Sequence, residues 1–305
     1  MSAPSEVAAG AARPAAWPGL ALALVGAIAF SGKAIVAKLM YRHGVDAVTV
    51  IFLRMALAMP FFLAMAWWAG RGQAPLTRRD KRMVLVLGFT GYYLASFLDF
   101  AGLQYVTASL ERLILYLNPT LVLALSVVLF GKRVSLRQLA AIGVSYAGVI
   151  LVFGHELSFQ GAHAGLGAAL VFGSAVSYAV YLVYSGQYVQ RLGSMRLVGL
   201  ASSVACVFAV GQYFVLRPVG ALASVPSAVW WLSLLNATAC TVAPVLMVMM
   251  AIERIGPTLA AQTGMVGPLS TVLMGVVLLD EPFNSWMAAG TALVLLGIWL
   301  LARWR

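Results

Sequence analysis

The chain has 305 residues, of which 62% are hydrophobic and 10% charged, with a mean hydropathy of +0.95 and a formal charge of +11. A soluble domain averages about 45–50% apolar and about 25% charged residues, so a soluble enzyme, a disordered chain and a disulfide scaffold are excluded. What remains is an all-α polytopic membrane protein, in which a basic excess signals topology and no nucleic-acid partner is expected.

Residues 1–17 are rich in Ala, Pro and Ser and read as a disordered cytoplasmic tail. Apolar runs long enough to cross about 30 Å of hydrocarbon then predict ten transmembrane helices. The first five lie near 18–40, 46–69, 83–102, 107–130 and 135–153, and the second five near 164–185, 195–216, 228–250, 258–279 and 284–302. The first run is too long for a signal-peptide core and shows no small-residue cleavage site, so it is expected to stay as an anchor.

Loop charges orient the bundle. Arg71, Arg78, Arg79, Lys81 and Arg82 fall on one side, joined by Lys132, Arg133, Arg137, Arg191, Arg196, Arg254 and the terminal Arg13, Arg303 and Arg305. The opposite loops hold Arg42, Arg217, Asp46, Glu156, Asp280, Glu281 and all three histidines, His43, His155 and His163. By the positive-inside rule both termini are cytoplasmic, in an inner (cytoplasmic) membrane. Cys206 and Cys240 sit in apolar runs and read as small buried hydrophobes.

A shift of 149 residues aligns 100–152 with 249–301 without a gap, placing Leu110 on Leu259, Pro119 on Pro268 and Gly148 on Gly297. A five-helix unit repeated once must enter the membrane from the other side, so two inverted five-helix repeats, 18–153 and 164–303, are expected. In transporters such repeats enclose a midplane site. Asn118-Pro119 and Gly267-Pro268 fall at matching places in helices 4 and 9, where proline frees backbone carbonyls that lipid cannot satisfy. Asn118, Pro119 and Pro268 are therefore binding or hinge candidates, while Pro60 and Pro244 read as packing kinks. Gly143 and Ala147 form a small-xxx-small face; the sequence leaves oligomeric state open.

Several stretches carry a family resemblance. They are Leu53-Arg54-Met55, Gly102-Leu103-Gln104-Tyr105-Val106-Thr107-Ala108, Leu117-Asn118-Pro119 and Leu129-Phe130-Gly131 in the first half. In the second half they are Ile255-Gly256-Pro257, Gly267-Pro268 and Leu279-Asp280-Glu281-Pro282. Over nearly its whole length the chain resembles the EamA branch of the drug/metabolite transporter superfamily. The resemblance implies a ten-helix carrier of amino acids, other metabolites or drugs, often working outward, with no cofactor. Two departures stand out: Lys132 where a glutamate is usual after helix 4, and Glu111-Arg112 inside a helix that is usually uncharged.

Ionisable residues inside a span cost about 2.5–3.5 kcal/mol on insertion scales and are functional candidates by default. Lys33, Arg54, Asp99, Glu111 and Arg112 all fall in the outer half of the first repeat. Depth along consecutive helices suggests Asp99 with Arg112 as a structural ion pair. That leaves Lys33 and Arg54 to face a substrate or a gate, and Asp99 or Glu111 as candidates for proton coupling. Ser174, Ser177, Tyr178, Tyr181, Asn236, Gln262 and Thr263 could line the opposite wall, while Tyr184 and Tyr188 read as an interfacial belt.

A phosphate-binding loop is absent: Gly26 to Gly32-Lys33-Ala34 has the wrong spacing and lies in a membrane helix. Hydrolase chemistry lacks its histidine, since each His falls in a loop, and no metal site is evident. The expected function is a secondary transporter of small metabolites, amino acids, organic anions or drug-like compounds, working as an exporter by alternating access. A channel, or an intramembrane enzyme, is the alternative.

Overall fold

The computed structural model describes residues 17–131, 134–160, 163–264 and 266–303; side chains at 156–160, 187, 219, 256–259, 261, 262 and 302 lie outside that description, as do residues 1–16 of the expected tail, whose last residue, Trp17, opens the first helix. The described chain is helical almost throughout. Eight segments among the described residues are long and apolar enough to cross a bilayer, and Gly267–Leu279 and Ser285–Leu301 are shorter apolar helices.

Helices α1 (Trp17–Tyr41) and α2 (Ala47–Gly70) match expectation closely. The Asp46 side chain caps α2 by accepting from Thr49 N (2.9 Å), and Arg217, just past the end of α9 (Ser194–Leu216), donates to it as well. Helix α3 (Arg78–Leu87) starts five residues earlier than expected, because Thr77 and Asp80 form a reciprocal capping box that draws Arg78, Arg79, Lys81 and Arg82 into the helix. A π-helical segment (Gly88–Leu94) then joins α3 to α4 (Ala95–Leu103).

Next come α5 (Ala108–Leu115) and α6 (Asn118–Phe130). Asn118-Pro119 therefore does not lie within a helix but opens one, at positions where the missing proline N–H costs nothing. Helices α7 (Leu136–Gln160) and α8 (His163–Leu192) run longer than their apolar cores. In the second half α10 (Ser227–Ala237), a π-helical segment (Thr238–Val242) and α11 (Ala243–Gly264) follow one another, then α12 (Gly267–Leu279) and α13 (Ser285–Arg303).

The break expected at 251–257 is thus helical backbone, yet the chain still turns there. Gly32 packs on Cys240, Gly26 on Met247 and Gly19 on Ile255, so α11 descends antiparallel to α1. Gly267 is already back beside Ala27 and Ser31, where Ser31 Oγ donates to its carbonyl at 2.6 Å. A straight helix would leave Gly264 roughly 14 Å beyond Ile255, out of reach of that contact, so the direction reverses between Ile255 and Gly267.

Backbone irregularities recur at the 149-residue shift. The π-helical segment Gly88–Leu94 maps onto 237–243, overlying the second one, and α6 maps onto α12 residue for residue. Each of these ends in a left-handed residue, Gly131 (φ 64°) and Asp280 (φ 58°), which also correspond. Helices α7 and α13 meet in a reciprocal seam. A Cβ at Gly148 would fall 2.6 Å from the Gly290 carbonyl oxygen, and one at Gly297 would fall 2.7 Å from that of Ala141. Shifting 141 and 148 by 149 gives 290 and 297, so the two contacts are images of each other. The pairing is antiparallel, since Ala141 and Ser145 meet Gly297 while Val152 meets Gly290. Gly143 and Ala147 face outward and take no part in this seam.

Gly148→Val should force the seam apart and cost about 1–3 kcal/mol, read as a lowered melting temperature in detergent. Gly143→Ala, with open space around it, should leave the melting temperature unchanged; equal effects of the two substitutions would contradict the seam.

Candidate functional site

Five charged side chains are buried where α1, α2, α4 and α5 converge: Lys33 (7% exposed), Arg54 (3%), Asp99 (2%), Glu111 (0%) and Arg112 (8%). Lys33 Nζ donates to Asp99 Oδ2 at 2.8 Å. This corrects the expected pairing of Asp99 with Arg112. Asp99 lies on the side of α4 that faces α1, whereas Arg112 Nε lies 3.8 Å from Glu111 Oε2, its sequence neighbour. The Glu111 carboxyl has no hydrogen-bond partner among the described residues; its electrostatic neighbours are Asp99, Arg112 and Lys33.

Phe100 holds the two remaining cations. Its ring lies 5.3 Å from Lys33 Nζ and 4.7 Å from Arg54 Cζ, and its carbonyl accepts from Tyr41 Oη at 2.7 Å. Arg54 makes no ion pair among the described residues. Its Nη1 lies 3.5 Å from Thr241 Oγ1, in the second π-helical segment, while Nε and Nη2 are unpartnered. Thr241 Oγ1 donates to the Asn236 carbonyl (2.8 Å), and Asn236 Nδ2 to the Lys33 carbonyl (3.3 Å). The second half of the chain therefore reaches the charge cluster through Asn236 and Thr241. Phe100 and Thr241 escaped the sequence reading, because an aromatic in an apolar run and a lone threonine carry no periodic signal.

Tyr178 and Tyr181 lie elsewhere. Tyr181 Oη meets Tyr92 Oη at 3.0 Å, Tyr178 stacks on Tyr181, and Gly91 leaves the space that the Tyr181 ring fills. Ser177 Oγ donates to the Thr90 carbonyl (2.7 Å), satisfying a group of the π-helical segment. Counted along the chain from Asp99 to Tyr92, this group sits roughly 10 Å from the charges. Tyr188 is buried beside Leu192 and Leu197 rather than at an interface, and only Tyr184 of the expected belt is exposed. At the α5–α6 break, Asn118 Nδ2 donates to the Leu115 carbonyl (2.7 Å) and Thr120 Oγ1 to that of Leu117 (2.7 Å). Pro268 is buried at the start of α12, and Thr263 is half-buried near the end of α11. The Gln262 side chain lies outside the described residues. Cys206 and Cys240 are free and buried.

The end of α12 is clasped onto the first half. Glu281 Oε1 accepts from Ala108 N (2.6 Å), and Oε2 from Ser109 N (3.2 Å) and Ser109 Oγ (2.7 Å), at the positive N-terminus of α5. Arg42 Nη2 donates to the last carbonyl of α12, Leu279 O, at 2.6 Å. An apolar cavity of about 230 Å³ lined by Ile114, Leu117, Tyr146, Val149 and Phe172 contains none of the charged groups.

Comparison with known proteins gives the family. The EamA-like transporter family model matches twice, over residues 17–154 and 165–303. The chain belongs to this family. As a member of the EamA-like family, it is a polytopic membrane transporter and not an enzyme. It is 29% identical over 269 residues to the uncharacterized transporter YcbK of Bacillus subtilis (strain 168), covering 85% of this chain and 84% of that protein. It is 24% identical over 262 residues to an uncharacterized transporter of Archaeoglobus fulgidus, covering 85% and 89%. A solved structure, described only as the crystal structure of a protein, shares the fold with a TM-score of 0.63 at 19% identity, over 94% of this chain and 96% of its own.

Lys33→Met leaves Asp99 as an uncompensated buried charge, a loss of about 3–5 kcal/mol. The double substitution with Asp99→Asn should recover most of it, measured by thermal unfolding in detergent. Additive losses would mean that the pair does not form.

Proposed function

We propose that this transporter is a secondary carrier working by alternating access: ten spans in two inverted five-helix repeats, 18–153 and 164–303, rocking about a shared site and exporting small metabolites across the inner membrane, both termini cytoplasmic. The recurrence of π-helical segments, proline-led helices and left-handed caps at one shift, with α7 and α13 antiparallel, supports the inverted repeat. The distribution of basic residues among the loops supports the orientation.

One observation carries the reading. A membrane protein has buried five ionisable groups at the junction of its halves and, among the described residues, left Arg54 and Arg112 without hydrogen bonds at Nε and Nη2, Asp99 at Oδ1 and Glu111 at both carboxylate oxygens. Permanent structural ion pairs would be satisfied, whereas groups that exchange partners during a cycle cannot be satisfied in every state. In this reading Lys33, Arg54 and Asn236 face the substrate, Asp99 and Glu111 carry a proton in exchange for it, and Tyr178, Tyr181, Gln262 and Thr263 line the deeper path. The breaks before Pro119 and Pro268 act as hinges.

Proteoliposomes should show saturable flux of a labelled metabolite, driven by an imposed pH gradient and without single-channel currents. Asp99→Asn or Glu111→Gln should uncouple flux from the gradient. Full coupling in both variants would exclude proton exchange, and unitary currents would exclude a carrier.

A further inference from the structure

We infer that Arg54 is a fork for a carboxylate, and that the transported molecule bears one. This rests on the carrier reading and adds the substrate's chemistry. The two unpartnered nitrogens of Arg54, Nε and Nη2, are the pair whose N–H bonds run parallel along one edge of the guanidinium, the edge that receives both oxygens of a carboxylate. Everything else about the side chain is already held. The guanidinium lies over the Phe100 ring at 4.7 Å, and Nη1 points at Thr241 Oγ1. The free edge is thus fixed in direction as well as empty of protein partners.

Charge counting agrees. With both carboxyls ionised, Lys33 offsets Asp99 at 2.8 Å, and Arg112 lies against Glu111 at 3.8 Å although its Nε and Nη2 make no hydrogen bond among the described residues, which leaves Arg54 as the cation with no carboxylate beside it. An unopposed guanidinium 3% exposed, roughly 10 Å along α2 from its outer end, is costly in a low dielectric. With Asp99 and Glu111 both ionised, a single carboxylate brings the cluster to neutrality and satisfies both donors, while a neutral amide or an amine does neither.

The test uses the full chain in lipid nanodiscs and matched pairs of probes: benzoate with benzamide, butyrate with butyramide, lactate with lactamide, succinate with succinamide, and inorganic phosphate. At least one carboxylate should raise the melting temperature and bind by calorimetry while its amide does not. Arg54→Lys keeps the charge but loses the fork and should weaken that binding by about tenfold or more. The acid–amide comparison needs no variant, so misfolding of Arg54→Lys would not spoil it. Amides binding as well as acids, binding of phosphate alone, no binding across the panel, or an undiminished Arg54→Lys would each overturn the assignment. Carboxylate binding without flux would sink the carrier and leave the fork. Flux of neutral solutes at an unchanged rate in Arg54→Lys would do the reverse.

An independent set of contacts points to a latch built on one face only. Glu281 takes three hydrogen bonds from Ala108 and Ser109, and Arg42 holds the end of α12. Shifted by 149, the position of Glu281 is filled by Lys132 and that of Ala108 by Pro257. At these corresponding positions the sequence has a cation in place of the acceptor and an imide without an N–H in place of the first donor. Arg191, at the place corresponding to Arg42, is bonded instead to Asp80 at 3.0 Å. These contacts hold the chain closed at the Glu281 end of α12.

Spin labels at exposed His43 and Phe283 should report one short, narrow distance in the unloaded protein. Glu281→Ala should broaden it toward longer distances, and Ser109→Ala, which removes one bond of three, should do so less. A distribution unchanged in both variants would overturn the latch.

Discussion

An ionised group inside a hydrocarbon slab has to find its counterpart within the protein, and the Lys33–Asp99 bond is where this chain does so most completely. Its formation decides much else. It brings α1 onto α4, places Phe100 between two cations and assigns Arg112 to Glu111. The Arg54 fork is left over. The pair orders its surroundings more than it stabilises them, because desolvation of a buried ion pair consumes most of its Coulomb attraction.

The second organising constraint is symmetry. Two π-helical segments, two proline-led helices and two left-handed caps at one spacing arise because both halves solve the same backbone problem: how to interrupt a membrane helix without stranding its carbonyls. The solutions differ in their side chains. Asn118 and Thr120 satisfy the first break from within, whereas the Gly267 carbonyl at the second is bonded both by Thr271 of its own helix and by Ser31 of α1. A break satisfied only locally and one tied also to a neighbour respond differently when helices shift.

Class and candidate charges were legible because they depend on composition and on period, which the chain displays openly. The repeat was legible in its prolines and glycines, whose backbone roles leave little freedom of substitution. Pairing was not. Depth along a span places Asp99 beside both Lys33 and Arg112, and only the rotation of α4 about its axis chooses between them. Helix starts were missed where a capping box, Thr77 with Asp80, outweighed four basic residues. Tyr188 deceived for a related reason, since a tyrosine near a helix end suits both an interface and a core, and contact with Leu192 and Leu197 decides.

Phe100 gives the cluster a property that no pair of charges has alone. One benzene ring is the shared resting surface of Lys33 and Arg54, so neither cation can be drawn aside without changing the other's footing. Whatever engages the guanidinium is felt at the ammonium, and through it at the Asp99 carboxylate. Because such linkage is reciprocal, titration of the acid must in turn alter the grip of the arginine, which makes an aromatic side chain without any charge the crosspiece of the balance.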